Sequence, residues 1–228
     1  GKGASVFARV SRNVRVRMAA LVAAVLLVPL VAAPSQAATT GFRDVTGSYQ
    51  FYREISWLTD QGITTGYSDK SFRPENSVSR EAFAAFLYRL ADSPRVALPG
   101  SSPFKDVKKS DQFYKQIVWL ESKNITTGWA DGTFRPKENI SRSAMAAFLY
   151  RYQGRPSFSA PQSSPFKDMK TSSKFFKEVA WLSKTGMTTG FSDGTFRPYD
   201  STSRAATAAF LFRGYGSSSY KAPKYVAP

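Results

Sequence analysis

The chain contains no cysteine and no histidine in its 228 residues. Without cysteine it forms no disulfide and offers no thiolate to a metal ion, and without histidine it lacks imidazole ligands and histidine acid-base chemistry. The two absences also exclude the Ser-His-Asp and Cys-His nucleophile systems. Most familiar enzyme mechanisms are therefore excluded, and we predict no catalytic residue, no metal site and no cofactor.

The first 37 residues contain the longest apolar run. Four arginines precede a run over residues 18–33, and the small residues Ser35 and Ala37 suit a cleavage site. The run is shorter than the roughly 20 residues that a membrane-spanning helix needs, so residues 1–37 are predicted to be a secretory signal peptide and not an anchor. We therefore expect an exported protein with no membrane span after cleavage.

Acidic residues are few relative to basic ones, with 16 Asp plus Glu against 32 Lys plus Arg and a formal charge of +16. Removal of residues 1–37 would still leave 27 basic and 16 acidic residues. Such a balance predicts an acidic partner: nucleic acid, an anionic lipid surface or an acidic polymer.

Export and the lack of a nucleic-acid-binding motif argue against nucleic acid. Carboxylates that recur symmetrically, with no asymmetric pair, argue against glycan hydrolysis.

A unit of about 50 residues occurs three times, because the motif Phe-x-Asp at residues 42–44 returns twice at a constant offset of 62. The same offset relates the tryptophans and arginines discussed below. Pro- and Ser-rich spacers separate the copies, and the end of the chain has little apolar pattern. We predict repeats over residues 38–91, 104–153 and 166–215, followed by a flexible C-terminal tail over 216–228.

Each repeat carries the pattern of two helices joined by a turn-rich loop. The first helix is predicted to follow an N-cap serine and to end at a residue in the left-handed conformation, which Gly and Asn adopt at low cost. The second helix is predicted to follow another N-cap serine. The first caps are Ser48, Ser110 and Ser172; the ends are Gly62, Asn124 and Gly186; the second caps are Ser79, Ser141 and Ser203.

A single repeat is too small to bury both of its apolar helix faces, so the copies are expected to cover one another. Three copies with long spacers favour a closed pseudo-threefold trimer within one chain over an open solenoid. The predicted fold class is thus mostly α, with three helix-loop-helix repeats in a monomer.

An arginine directly after each second N-cap is the most informative candidate, because a cation there opposes the helix dipole. One interpretation is an anion site in which the guanidinium and the free N–H groups of the helix N-terminus bind a carboxylate. The other is an internal ion pair with the Asp of Phe-x-Asp. The arginines are Arg80, Arg142 and Arg204, and the aspartates are Asp44, Asp106 and Asp168.

Three further sets of residues recur at the same offset. The tryptophans lie off the apolar stripe of the first helix, and either core packing between repeats or stacking against sugars accounts for them. The arginines of Phe-Arg-Pro either pin the loop or line the groove, and loop pinning is the favoured interpretation because proline fixes their local geometry. The aspartates of the preceding turn are interpreted as turn formers. The sets are Trp57, Trp119 and Trp181; Arg73, Arg135 and Arg197; Asp69, Asp131 and Asp193.

The ordered motifs Phe-x-Asp-Val, Trp-Leu, Gly-Ile-Thr-Thr-Gly, Asp-Gly-Thr-Phe-Arg-Pro and Ile-Ser-Arg resemble the S-layer homology domain over nearly all of residues 42–214. The resemblance implies a pseudo-trimer at a bacterial cell surface whose inter-repeat grooves bind an anionic secondary cell-wall polysaccharide, often through a pyruvate ketal. By motif, its binding residues fall on Arg80, Arg142, Arg204, Asp44, Asp106, Asp168, Trp57, Trp119 and Trp181.

The chain departs from the family's Thr-Arg-Ala-Glu element in every copy. Serine replaces the threonine, and the glutamate position holds Ala82, Ala144 and Ala206. The arginine is kept in all three.

A secreted adhesive module that binds another protein through the same grooves is the alternative function.

Overall fold

The computed structural model describes residues 41–228, so the predicted signal peptide lies outside the described residues. It contains six α-helices and, within those residues, only isolated β-bridges. None of these helices has the length and apolar character needed to span a membrane. The predicted fold class is confirmed. The helices are α1 Tyr52–Asp60, α2 Arg80–Leu90, α3 Tyr114–Ser122, α4 Arg142–Tyr152, α5 Phe176–Lys184 and α6 Arg204–Tyr215.

The second helix of each repeat begins where the sequence predicts. In repeat 1 the Ser79 hydroxyl accepts the N–H of Ala82 at 3.2 Å, and the same bond recurs in the other two copies. A serine cap satisfies one of the N–H groups that the first helical turn leaves without an intrahelical partner. The predicted caps Ser79, Ser141 and Ser203 are confirmed.

The first helix of each repeat begins later than predicted, so the caps Ser48, Ser110 and Ser172 are wrong. Phenylalanines occupy the N-cap positions and make no side-chain cap bond. Consecutive turns precede the helix, as in repeat 1, where Tyr49 donates to the Thr46 carbonyl and Tyr52 to the Tyr49 carbonyl. The ends are as predicted, with left-handed φ of 67°, 54° and 76° at Gly62, Asn124 and Gly186.

Three backbone hydrogen bonds close the repeats into a ring. The Val78 N–H donates to the Thr202 carbonyl, the Thr202 N–H to the Ile140 carbonyl, and the Ile140 N–H to the Val78 carbonyl, at 2.9, 3.0 and 2.9 Å. The three residues occupy equivalent positions in the three repeats. Because the third bond returns to the first repeat, the arrangement is the predicted closed trimer and not an open solenoid.

Helices pack in pairs that join neighbouring repeats: α2 against α3, α4 against α5, and α6 against α1. At each pairing a tryptophan of the first helix meets an aromatic ring of the neighbour edge-on, with centroids 5.3–5.6 Å apart. Each repeat therefore covers the apolar face of the next. The ring pairs are Trp57 with Phe212, Trp119 with Tyr88, and Trp181 with Tyr150.

The segment after α6, predicted to be a flexible tail, lies against repeat 1. The Tyr220 hydroxyl donates to Asp60 at 2.7 Å, and Arg53 donates to the carbonyls of Ser218 and Tyr220. By the offset of 62, this segment occupies the position that the spacers hold after α2 and α4. It therefore completes the third inter-repeat junction, between repeats 3 and 1.

Candidate functional site

The Asp of each Phe-x-Asp motif holds the loop between the two helices of its own repeat. In repeat 2, Asp106 Oδ1 accepts the Phe134 N–H at 2.8 Å and Oδ2 accepts the Arg135 N–H at 2.7 Å. Arg135 has a left-handed φ of 58°, which a non-glycine residue adopts only at a cost. The carboxylate therefore fixes a strained turn, and Asp44 and Asp168 do the same in repeats 1 and 3.

The arginine that begins each second helix is buried between two repeats, only 7–8% exposed. Its Nε atom donates to a phenylalanine carbonyl of the next repeat at 2.6–2.8 Å. Among residues 41–228, no carboxylate forms an ion pair with any of the three. The ion-pair interpretation is wrong, because the aspartate bonds to backbone N–H groups instead. The pairs are Arg80 with Phe134, Arg142 with Phe196, and Arg204 with Phe72.

The two terminal nitrogens of each of these guanidinium groups have no hydrogen-bond partner within the described part of the chain. Burial lowers the pKa of Arg80 and of Arg142 to about 10, and it also lowers the pKa of Arg204. A pKa of about 10 keeps Arg80 and Arg142 cationic at neutral pH. Nearby carboxylates favour the charged form without bonding to the guanidinium, as Glu138 and Asp106 do for Arg80, so the terminal nitrogens remain available as hydrogen-bond donors.

The helix N-termini beside these arginines offer no free donors, contrary to the prediction. The N–H of Arg80 donates to the Glu138 carbonyl, the N–H of Glu81 to the Pro136 carbonyl, and the N–H of Ala82 to the Ser79 hydroxyl. Equivalent bonds occur at α4 and α6. The backbone donors thus hold the repeats together, and the guanidinium alone remains for a ligand.

An aromatic side chain after Thr-Thr-Gly forms part of each arginine site. The guanidinium carbons of Arg135 and Arg80 lie 3.9 and 5.9 Å from the centroid of Trp129, which is 38% exposed. Tyr67 and Phe191 have equivalent pairs of arginines. These three residues are not among the site residues predicted from the sequence. The signal was an aromatic residue at one slot in every copy, in a loop where no helical stripe requires one.

We name the sites by the repeats that they join. The 1–2 site comprises Arg80, Trp129, Phe134 and Arg135. The 2–3 site comprises Arg142, Phe191, Phe196 and Arg197. The 3–1 site comprises Arg204, Tyr67, Phe72 and Arg73.

The arginine of Phe-Arg-Pro pins the loop, as predicted. In repeat 2 its Nη2 atom lies 3.3 Å from Asp131 Oδ2, and Asp131 Oδ1 accepts the N–H and the hydroxyl of Thr133. Arg135 is stacked on Trp129 and thereby fixes the orientation of the ring. The predicted turn-forming role of the aspartate is confirmed in all three copies.

The predicted tryptophans lie inside the interfaces between repeats. Trp57, Trp119 and Trp181 are 2–6% exposed and contact the edge-on rings described above. Core packing therefore accounts for them. The aromatic ring at each arginine site, which is exposed in Trp129 and Tyr67 and half-buried in Phe191, belongs to the loop and not to the first helix.

A pocket of about 350 Å³ adjoins the 1–2 site and is lined by Asp106, Arg135, Pro136, Lys137 and Glu138. Lys137 also pairs with Glu81 across the repeat boundary at 2.5 Å. Within residues 41–228 no group of three or more acidic side chains is arranged to hold a metal ion. The charged side chains of the pocket are thus two cations, Arg135 and Lys137, and two carboxylates, Glu138 and the backbone-bound Asp106.

Comparison with known proteins identifies related chains. A cellulosome-anchoring protein of Acetivibrio thermocellus is 30% identical over 156 residues, or 65% of this chain and 34% of that protein. An endoglucanase of Bacillus sp. KSM-635 is 29% identical over 196 residues, or 82% of this chain and 20% of the enzyme. The S-layer protein EA1 of Bacillus anthracis is 27% identical over 183 residues, or 79% of this chain and 21% of that protein. The chain spans about a third of these relatives or less.

The family model of the S-layer homology domain matches three segments, residues 41–84, 103–146 and 165–208. Each match runs from the Phe-x-Asp element to the first turn of the second helix, so it contains the loop and the arginine of one repeat. The resemblance read from the motifs is confirmed. This chain therefore belongs to the S-layer homology domain family and carries three tandem copies of the domain.

Proposed function

We propose that this chain is an exported module that anchors a protein to the bacterial cell wall by binding carboxylates of an acidic wall polysaccharide at its three inter-repeat sites. The observation that carries the proposal is the buried arginine of each site, whose terminal nitrogens have no partner within residues 41–228. A pyruvate ketal is one chemical form in which a wall sugar carries such a carboxylate.

The geometry of arginine favours a carboxylate over a diffuse negative surface. Its planar fork matches two carboxylate oxygens, and the Nε bond to the neighbouring carbonyl already fixes the plane of the group. A site whose donors are fixed beforehand loses less entropy when the ligand binds. The expected contact is therefore a bidentate pair at the two terminal nitrogens.

The exposed aromatic ring supplies the apolar part of a sugar site. Binding sites for small ligands combine aromatic surface with a few fixed polar groups, and Trp129 and Tyr67 keep 38% exposure beside their arginines. An acidic sugar has both parts, a carboxylate and an apolar ring face. In this proposal the Asp of Phe-x-Asp positions the loop, and the buried tryptophans join the repeats.

The relatives support a surface role. Their names include a cellulosome-anchoring protein and S-layer proteins, and two are named as glucanases. The chain covers only 20% and 15% of those two glucanases. We therefore propose that the module contributes attachment and no catalysis.

A sedimentation assay tests this function. Residues 38–228 are mixed with protein-free walls of Acetivibrio thermocellus, Bacillus licheniformis and Brevibacillus brevis, and with the same walls after carbodiimide-mediated reduction of their carboxylates. We expect binding to at least one native wall and loss of that binding after reduction. A basic protein of similar net charge but unrelated fold serves as the control.

Binding to none of the walls would contradict the proposal. Equal binding before and after reduction would show that carboxylates are not recognised. Binding only to walls that retain their proteins would favour the alternative of a protein-binding adhesive module.

A further inference from the structure

A cation near the Trp129 ring of the 1–2 site has no charged counterpart at the other two sites. The Lys174 Nζ atom, from repeat 3, lies 5.4 Å from the centroid of Trp129 in the 1–2 site. The positions equivalent to Lys174 in repeats 1 and 2 are Gln50 and Gln112, which are uncharged. The ring of Trp129 is thus approached by cations from all three repeats, Arg80, Arg135 and Lys174.

The backbone beside Lys174 also differs from its counterparts. Phe175 has a left-handed φ of 62°, whereas the equivalent Phe113 and Phe51 have φ of −107° and −110°. A bulky residue in this conformation is strained, and such strain commonly marks a functional site. Lys174 Nζ also lies 5.1 Å from the centroid of Phe175. The unusual turn and the placement of the lysine therefore occur together, and in this repeat alone.

Lys174 is exposed and forms no ion pair within the described residues. Two cations without carboxylate partners, Arg80 and Lys174, thus lie 5.9 and 5.4 Å from the centroid of one exposed ring. The other two sites have one such cation each.

We infer that the 1–2 site binds a segment of acidic glycan with two negative charges, one at Arg80 and one at Lys174, and that it is the tightest of the three sites. The inference rests on the proposed function, since the ligand is the same wall polysaccharide. It adds a specificity residue from repeat 3 to a site otherwise formed by repeats 1 and 2. A glycan with one charge per binding segment would not use Lys174.

The test replaces Lys174 with the residue that repeats 1 and 2 carry. Affinity for the wall that binds residues 38–228 best is measured for Lys174→Gln and for Lys184→Gln, an exposed lysine of α5 that serves as the matched loss of charge. We expect Lys174→Gln to weaken binding about three- to fivefold, the upper part of the range of an exposed ion pair. We expect Lys184→Gln to change it less than about twofold. Equal affinities for the two variants would overturn the inference and leave the proposed function standing.

Two double variants show which site Lys174 serves. Lys174→Gln should have little further effect in an Arg80→Lys background, where the 1–2 site is already impaired, but its full effect in an Arg204→Lys background. Effects of the same size in both backgrounds would overturn the assignment to the 1–2 site. Failure of the unmodified chain to bind any wall would overturn the proposed function and this inference with it.

Discussion

Arg142 of repeat 2 donates a hydrogen bond from Nε to the carbonyl oxygen of Phe196 in repeat 3, 2.7 Å away. The guanidinium of the same residue also lies beside the Phe191 ring in the 2–3 site. One side chain therefore joins two repeats and offers two further nitrogens to an anion. Loss of this arginine should therefore affect both stability and binding. Unfolding of an alanine variant measures the first effect, and wall affinity of lysine variants measures the second.

The Arg142→Ala variant should be less stable by about 1–3 kcal/mol, because the buried Phe196 carbonyl loses its donor. No buried carboxylate is left unpaired, since Asp168 bonds to the N–H groups of Phe196 and Arg197. Chemical denaturation measures the free energy of unfolding. Arg213→Ala, which removes an exposed arginine, is the control and should change stability little. Equal stability of the two variants would contradict the structural role of Arg142.

Replacement of Thr202 by valine should stabilise the protein. Thr202 is fully buried on the ring of backbone bonds, and its hydroxyl has no hydrogen-bond partner among residues 41–228. The equivalent residues are Val78 and Ile140, so an apolar side chain fits this position. A buried unsatisfied polar group costs about 1–3 kcal/mol, and thermal unfolding of Thr202→Val should show a gain in that range. The reverse change, Val78→Thr, should destabilise, and a loss of stability in Thr202→Val would contradict this explanation.

Removal of residues 216–228 should lower the free energy of unfolding by about 2–4 kcal/mol, because Tyr220 and Tyr225 lose their aromatic contacts with Phe212 and Tyr52. The hydrogen bonds of the segment to α1 are lost as well. Denaturant titration of the truncated chain measures the effect. The control is Lys221→Ala within the intact segment. A truncated chain as stable as the intact one would show that the segment does not support the third junction.

Stability should fall in strong acid through the turn aspartates. Hydrogen bonds from Ser71 lower the pKa of Asp69 to about 2, and those from Thr195 do the same for Asp193. A carboxyl whose folded pKa lies below its unfolded value stabilises the fold above the unfolded pKa, near 4, and loses this contribution as the pH falls through the folded pKa. Denaturation at several pH values should therefore show the loss between about pH 4 and pH 2.

The matched control for this pH dependence is Asp193→Asn, which keeps a side-chain oxygen to accept from Thr195 but does not titrate. Its stability should fall less steeply over the same interval. An acid transition of identical steepness in the variant would assign the effect to other carboxylates.

The repeats, the second-helix caps and the closed ring could be predicted because each depends on a local or periodic signal. The serine caps need only the residues that follow them, and the ring follows from three copies of a unit too small to bury both faces. The start of the first helix could not be predicted, because Phe51 caps it without a side-chain bond. Its position depends on the preceding turns.

The candidate site was predicted only in part, for a physical reason. The sequence identifies Arg80 as unusual, but its contact with the Phe134 carbonyl joins residues 54 positions apart in different repeats. Other contacts between repeats 1 and 2 occupy the helix N–H groups and place Trp129 beside the guanidinium. No pattern within one repeat contains that information, because these contacts exist only when the three repeats are packed together.

The central claim is that fixed guanidinium groups, and not positive charge in general, bind the wall polysaccharide. The most direct measurement compares wall affinity of the unmodified chain with a variant in which Arg80, Arg142 and Arg204 are all lysine, which keeps the net charge. A second variant, with the exposed Arg95, Arg155 and Arg213 changed to lysine, is the control. Both are assayed well below their melting temperatures, with folding verified by circular dichroism.

Loss of a charge-assisted hydrogen bond costs about 1.5–3 kcal/mol, so the account predicts that affinity falls at least about tenfold in the first variant and stays unchanged in the control. Equal affinity of the first variant and the unmodified chain would contradict the account, because charge would then suffice without the planar fork.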